Sequence, residues 1–78
     1  MPLYYFDTRD NGALIQDDVG TELADLDAAR QIATASLAEL AMDVLPGSER
    51  RVLIVEVREG RQPVLEARLT FEAVHLTH

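Results

Sequence analysis

One stretch of helical periodicity near the middle of the chain constrains the fold most. Apolar side chains recur there every three or four residues, which is the repeat of a helix with a single buried face. These residues are Leu26, Ala29, Ala33, Leu37, Leu40 and Val44. Asp25 is a favourable N-cap, and Pro46-Gly47 stops a helix because proline cannot continue the hydrogen-bond ladder. We therefore predict one amphipathic helix between these positions, with strands on both sides of it.

The segment before the helix predicts a β-hairpin. Aromatic residues at positions 4–6 favour a strand, which we place at Leu3–Arg9. Asn11-Gly12 favours positive φ at both central positions of a two-residue turn, which is the strongest short hairpin signal. The returning strand is then Ala13–Asp17, short and at a sheet edge, and a second turn follows it.

Two longer strands follow the helix, and both alternate apolar with polar residues. We place them at Arg51–Glu59 and at Val64 to about Leu76. A register with Arg58 opposite Glu66 would place Glu56 opposite Arg68, so that both outward-facing pairs join opposite charges. Such cross-strand pairs contribute about 0.2–1 kcal/mol each and help to fix the register.

These elements predict an α+β fold of the order ββαββ, in which one amphipathic helix packs on one face of a four-stranded, mainly antiparallel sheet. We expect residues 1–78 to form a single domain, since the chain is too short for two. A domain of this size buries only about 60–65% of its unfolded surface. The chain has no cysteine, so neither a disulfide nor a thiolate metal site is available to stabilise it.

The charge of the chain excludes some partners. Its formal net charge is −7, from 14 acidic residues against 7 basic ones. We therefore expect no nucleic-acid binding and no binding to an anionic membrane surface, whereas a basic protein partner is compatible with this charge. No apolar run approaches the roughly 20 residues of a membrane span, and the first residues lack the positive charge of a signal peptide. The expected location is the cytoplasm.

One helix covers only one face of such a sheet, and the other face carries apolar residues among its charges. We take these residues as a candidate interaction face: Leu3, Tyr5, Val52, Ile54, Val64 and Val74. Two explanations stay open, namely association with a second copy or another protein, and the scattered surface valines that are normal in strands. Tyr5 is the aromatic residue most typical of an interface anchor, although a local cross-strand role would also explain it.

Residues that carry chemistry are sparse. Asp7 and Asp17 would approach each other if the first hairpin pairs closely, and paired carboxylates share a proton or bind a divalent cation. Turn formation and solvation explain these acids better, since their spacing matches no calcium-binding loop. His75 and His78 would lie on opposite faces of a strand, which is unsuited to chelation. Since no nucleophile motif or phosphate-binding glycine loop is present, we predict no enzymatic activity, no metal and no cofactor.

An ordered series of short motifs in the first half of the chain resembles a known family. The motifs are Tyr4-Tyr5-Phe6-Asp7, Arg9-Asp10-Asn11-Gly12, Asp17-Asp18-Val19-Gly20 and Glu22-Leu23-Ala24-Asp25-Leu26. They resemble the domain of unknown function numbered 6894, found in small bacterial proteins frequent in soil and plant-associated alphaproteobacteria. The likeness continues through Val52–Arg58 and Pro63–Phe71. The resemblance implies a bacterial, cytoplasmic, single-domain protein and transfers no catalytic residue, since the family has no assigned activity.

Three functions are compatible with these observations. The first is a small non-enzymatic protein-interaction module, self-associating through the open sheet face or an edge strand. The alternative is an acidic inhibitor or mimic that occupies a basic, nucleic-acid-binding surface of a partner, although the arginines interrupt the acidic surface that this would need. The third is a small enzyme or ligand carrier, which would need a pocket of roughly a few hundred Å³.

Overall fold

A computed structural model describes residues 1–77. Its elements, in chain order, are β1 (Leu3–Asp10), β2 (Ala13–Ile15), β3 (Thr21–Glu22), α1 (Leu26–Val44), β4 (Arg50–Glu59) and β5 (Gln62–Glu72). All strand pairs are antiparallel and follow the order β2-β1-β4-β5, with β3 also paired to β1. The predicted α+β architecture, one helix on one face of an antiparallel sheet, is confirmed. The predicted number of four strands is wrong, because β3 adds a fifth.

The first hairpin forms where the Asn-Gly pair predicts it. Asn11 has φ 53° and Gly12 has φ 95°, so both central turn residues are left-handed, as this turn requires. The returning strand β2 ends at Ile15, two residues earlier than predicted. The chain then returns to β1 as β3, which is only two residues long and too short to show alternation in the sequence.

The helix α1 confirms the predicted N-cap and stop. Asp25 has extended backbone, and its side chain accepts a hydrogen bond from the Ala28 N–H over 2.9 Å. Two residues of the apolar stripe, Ala29 and Ala33, have no exposed surface, because their short side chains let the helix approach the sheet closely. Leu26 is the exception in that stripe, since it is 41% exposed at the first turn. Nowhere in residues 1–77 does a helix combine the length and apolar character needed to cross a bilayer.

The hydrophobic core lies between α1 and the central strand β4. Leu53, Val55 and Val57 are the largest side chains that are fully buried. They alternate along β4, so the intervening residues of this strand face away from the helix. Leu65, Ala67 and Leu69 of β5 lie directly opposite them and pack against the same core on the helix side.

The register of β4 with β5 differs from the predicted one by three residues at Arg58 and by two residues beyond it. Arg58 lies opposite Pro63 rather than Glu66, and Glu56 lies opposite Glu66, which sets two like charges against each other. The difference arises at the turn, which is shorter than predicted because Glu59 lies directly opposite Gln62, and the irregularity next to Arg58 then leaves one extra residue in β5. The strand β5 also ends at Glu72, four residues before the predicted end.

Candidate functional site

Four side chains form a cluster on the face of the sheet opposite α1, which we call the outer-face cluster: Tyr5, Asp7, Asp17 and Arg58. Its centre is Asp7, the one charged residue of residues 1–77 that is buried, with 7% of its surface exposed. Alternation along β1 turns Asp7 away from the helix, so the helix cannot cover it. The loop after β2 covers it instead, and the Asp17 backbone N–H donates to Asp7 Oδ1 over 3.0 Å.

Arg58 connects this loop to the sheet. Its Nε donates to Asp7 Oδ2 over 2.8 Å, and its Nη2 donates to the Asp17 carbonyl oxygen, also over 2.8 Å. Its Nη1 reaches the Gly60 carbonyl oxygen at the same distance. The guanidinium carbon lies 4.4 Å from the centroid of the Tyr5 ring, within the range of a cation–π contact. A rigid planar fork with five N–H groups makes all these contacts at once, which a lysine could not do.

Asp17 fills a gap in the edge of the sheet. The strand β3 pairs with β1 only at residues 3–4, and β2 pairs with it only at residues 8–10, so residues 5–7 have no strand beside them on that side. The Asp17 carboxylate takes the place of a strand there, since its Oδ2 accepts the Phe6 N–H over 3.1 Å. Its Oδ1 accepts the N–H groups of Val19 and Gly20, which shapes the turn towards β3.

The surroundings of both carboxyls favour their ionised form. Burial alone would raise the pKa of Asp7, but hydrogen bonds from Arg58 and from the Asp17 N–H outweigh burial and lower that pKa below its usual value. Burial also acts to raise the pKa of Asp17, and its three backbone N–H donors outweigh it in the same way. Asp7 and Asp17 thus lie beside each other, which the sequence allowed for a closely paired hairpin, but Arg58 and N–H groups, rather than a shared proton, neutralise the pair. Carboxylates held this way are poorly suited to proton transfer near neutral pH.

Other candidate ligands do not gather around this cluster. Within the part of the chain that the structure describes, no group of three or more His, Cys, Asp or Glu side chains could hold a metal ion. His75 lies exposed in the segment after β5. His78 lies outside the described residues, so the predicted relation between the two histidines is not part of the structure.

The six residues of the predicted interaction face lie in three different environments. Four of its six residues lie on the outer face: Leu3, Tyr5, Val52 and Ile54. Val64 does not, because it packs against the buried core beside the irregularity in the β4–β5 pairing. Val74 follows the end of β5 and is 67% exposed. The face predicted from simple alternation is therefore wrong at these last two positions.

The four outer-face residues form two separate patches. Leu3 and Tyr5 lie against Gly20, where a Cβ would be only 3.0 Å from Tyr5 Cε2 and 3.1 Å from the Leu3 side chain. In the other patch, Ile54 has an arginine opposite it on each neighbouring strand. The polar outer-face cluster lies on the same face as both patches. An apolar partner would therefore find no continuous surface here.

The edge of the sheet formed by β5 is open along its whole length. This strand has 11 residues and is the last in the sheet order, so only β4 pairs with it within residues 1–77. The Ala73 N–H donates to the Glu49 carbonyl oxygen over 2.8 Å, which sets the direction of the backbone groups in this pairing. By alternation, Glu66, Arg68 and Thr70 direct their N–H and C=O groups away from β4. We call this side of the strand the β5 edge.

Sequence reasoning missed the role of Arg58 and did not distinguish the two edges. It paired Arg58 with Glu66 because that register sets opposite charges against each other and assumes no irregularity in β5. Pro63 is the signal that could have corrected this, since proline in a strand is usual only near its start, at an edge or at a bulge. The edge strand that the sequence did indicate, after Asn11-Gly12, is β2, which covers one end of β1, while β3 and Asp17 cover the rest of that side of β1.

The fold and its cluster define a small α+β protein with one helix on an antiparallel sheet and a loop held on the outer face by ion pairing. Residues 3–70 match the family described as Domain of unknown function (DUF6894), and the chain belongs to this family. The match confirms the resemblance carried by the N-terminal motifs. No curated protein and no solved structure matches the chain significantly.

Proposed function

We propose that this protein is a non-enzymatic protein-interaction module of the cytoplasm, and that it binds its partner through the β5 edge. The observation that carries the proposal is the 11-residue strand whose outward backbone groups have no partner strand within residues 1–77. An extended segment of a partner would add to the sheet there and form backbone hydrogen bonds with β5. The division of the outer face into two patches supports the edge rather than the face as the binding surface.

The side chains along β5 suit a selective edge better than a generally adhesive one. Glu66 and Arg68 are about half exposed and present one charge of each sign beside the free backbone groups. Charged residues on an edge strand suppress pairing with unrelated strands. A partner strand with the complementary order of charges would be accepted, so selectivity and binding reside on the same strand.

The proposal is tested with a backbone change that affects the outer side of β5 alone. Thr70→Pro removes an outward N–H and leaves the inward ladder to β4 intact, which an edge strand tolerates. Ile54→Asp is the matched control, because it alters the outer face on β4 and removes no backbone group from the β5 edge. The chain and both variants are immobilised, and the proteins they retain from a bacterial extract, including added free chain, are compared.

We expect Thr70→Pro to lose the bound proteins that the unmodified chain and Ile54→Asp both retain. Loss of the same proteins from Ile54→Asp, with Thr70→Pro still binding, would place the interaction on the outer face and contradict the proposal. An unmodified chain that retains nothing, its own copies included, would contradict the interaction module altogether.

The acidic-mimic function has one observation in its favour. Within residues 1–77, four arginines form salt bridges to four acidic residues: Arg50 with Glu72, Arg51 with Asp10, Arg58 with Asp7 and Arg68 with Glu66. Outside these pairs the chain has ten acidic residues against three arginines. A mimic would release a basic partner as salt rises from about 0.05 to 0.5 M, because exposed charges are then screened. Binding through a strand edge should depend on salt far less.

A further inference from the structure

The order of charges along the β5 edge is complementary to itself. In an antiparallel pair of two identical strands, a two-fold axis passing through Ala67 sets Glu66 of each copy opposite Arg68 of the other. This arrangement creates two opposite-charge pairs from a single surface. It also pairs even-numbered residues with even-numbered ones, and from Glu66 onward these are the residues whose backbone groups point away from β4.

The helix-facing side of β5 fits the same register. Leu65 of one copy would lie opposite Leu69 of the other, and the small side chain of Ala67 would lie on the axis. All three residues are only partly buried in the single chain, although they pack against its core. Pairing would therefore extend the core across the edge in addition to adding backbone hydrogen bonds.

The position of α1 leaves room for a second helix. The helix contacts β4 and β5, so its axis lies above these two strands. An axis midway between these strands, which are about 4.8 Å apart, would place the helices of two copies joined edge to edge about 10 Å apart, a normal helix–helix packing distance. A helix placed over the centre of the sheet would not reach its counterpart.

An apolar hollow borders the same edge. It is lined by Ala41, Met42, Leu45 and Pro46 at the end of α1 and by Phe71 of β5. Met42 is 78% exposed there. The two-fold register brings the start of the second copy's β5 beside Phe71, and therefore beside this hollow. Pairing would therefore cover apolar surface that α1 leaves exposed.

We propose that the strand bound by the β5 edge is β5 of a second copy, in antiparallel register about Ala67, giving one continuous sheet with both helices on one side. This inference rests on the proposed function and names the partner. Within one chain, Glu66 faces the like charge of Glu56. Arg68 Nη2, two residues along the same strand, donates a hydrogen bond to Glu66 Oε2 over 2.8 Å. The second copy supplies another arginine to each Glu66.

Charge exchange tests this register directly. Glu66→Arg creates two arginine–arginine oppositions across the axis, and Arg68→Glu creates two glutamate–glutamate oppositions. Each single variant should dimerise about tenfold more weakly than the unmodified chain or worse, as measured by sedimentation equilibrium up to about 1 mM. An equimolar mixture of the two variants should form a heterodimer, because every opposition then joins unlike charges. The double variant should dimerise as the unmodified chain does.

Matched controls change the same charges away from the edge. Glu22→Arg on β3 and Arg9→Glu on β1 alter the net charge equally and should leave dimerisation unchanged. Circular dichroism confirms that each variant is folded. Thr70→Pro provides a second way to block the edge that leaves the charges intact, so a charge variant that fails to fold does not decide the outcome.

Two results would overturn the inference. One is an unmodified chain that stays monomeric at about 1 mM, and the other is a dimer that none of the edge variants weakens. Neither result decides the proposed function, because retention of another protein by the chain and its loss with Thr70→Pro are measured separately. If the chain binds a different protein through the β5 edge but does not bind itself, the proposed interaction module stands and the inference of a second copy is wrong.

Discussion

The two edges of the sheet are built in opposite ways. On the β1 side, the short strands β2 and β3 cover the two ends of β1, and the Asp17 carboxylate accepts the Phe6 N–H between them. On the β5 side, 11 residues lie in one strand with no partner beyond β4 within residues 1–77. One edge is thus closed by a loop and an ion pair, and the other is open along its whole length.

The edge on the β1 side therefore contributes to the stability of the fold, whereas the edge on the β5 side is the one available for binding. The loop on the closed edge is held by Arg58, which also binds Asp7 and lies over the Tyr5 ring. A buried ion pair of this kind holds one conformation and leaves few donors or acceptors for a partner. The open edge has the reverse character, since its free backbone groups are the usual template for strand addition.

The largest expected effect is the loss of the central carboxylate of the closed edge. Asp7→Ala leaves Arg58 without its main partner in a mostly buried position, where the Arg58 side chain is 16% exposed. We expect the free energy of unfolding to fall by about 3–5 kcal/mol, measured by urea denaturation. Glu66→Ala on the open edge is the control and should change it by less than about 0.5 kcal/mol. Equal losses in the two variants would contradict the contrast between the edges.

Acid should weaken the closed edge in a defined range of pH. Both Asp7 and Asp17 have a pKa lowered below the ordinary value of 3.8, so their ionised forms stabilise the folded state. This stabilisation is fully present from about one unit above pH 3.8. It is lost as the pH falls through the pKa values that the two carboxyls have in the folded state. The loss should be smaller than that caused by Asp7→Ala, because a protonated carboxyl keeps some hydrogen bonds.

The measurement is denaturant unfolding at a series of pH values from 7 to about 2. The Asp7→Ala variant should show a shallower decline of stability below pH 3.8 than the unmodified chain. Parallel declines would mean that the destabilisation in acid comes from groups other than Asp7.

The smallest expected effect concerns the close contact of the loop with β1. Gly20 has φ +78°, and a Cβ there would lie 3.0 Å from Tyr5 Cε2, whereas Gly12 has φ +95° and open space around it. Both glycine-to-alanine changes carry the cost of a left-handed alanine, about 1–2 kcal/mol. Gly20→Ala should cost about 1 kcal/mol more in denaturant unfolding, because the Tyr5 and Leu3 side chains must move. Equal losses of stability in Gly20→Ala and Gly12→Ala would mean that the side chains of β1 do not restrict the space at Gly20.

Local signals in the sequence predicted most of the fold. The N-cap at Asp25, the stop at Pro46-Gly47 and the positive φ of Asn11-Gly12 each depend on neighbouring residues only, and all three are present. Alternation along β4 likewise identified the buried residues of that strand. Signals of this kind are reliable because the chemistry that they depend on lies within a few residues.

The parts that depend on distant residues were not predictable in the same way. The strand β3 has two residues and exists because its neighbours bring it beside β1. The position of Val64 follows from one irregularity in the pairing, which moves a residue from the outer face to the core. The approach of Asp7 to Asp17 was allowed for by a closely paired hairpin, but the arginine between them comes from a strand 41 residues further along the chain.

Amide hydrogen exchange measured by NMR at two protein concentrations tests the central claim most directly, namely that the β5 edge is the binding edge and the β1 edge is closed. At about 20 μM the outward amides of Glu66, Arg68 and Thr70 should exchange quickly, while the Phe6 amide is protected by Asp17. At about 1 mM the three outward amides should become protected, and that of Phe6 should not change. Protection of the three outward amides at both concentrations, or new protection on the outer face in their place, would contradict the account.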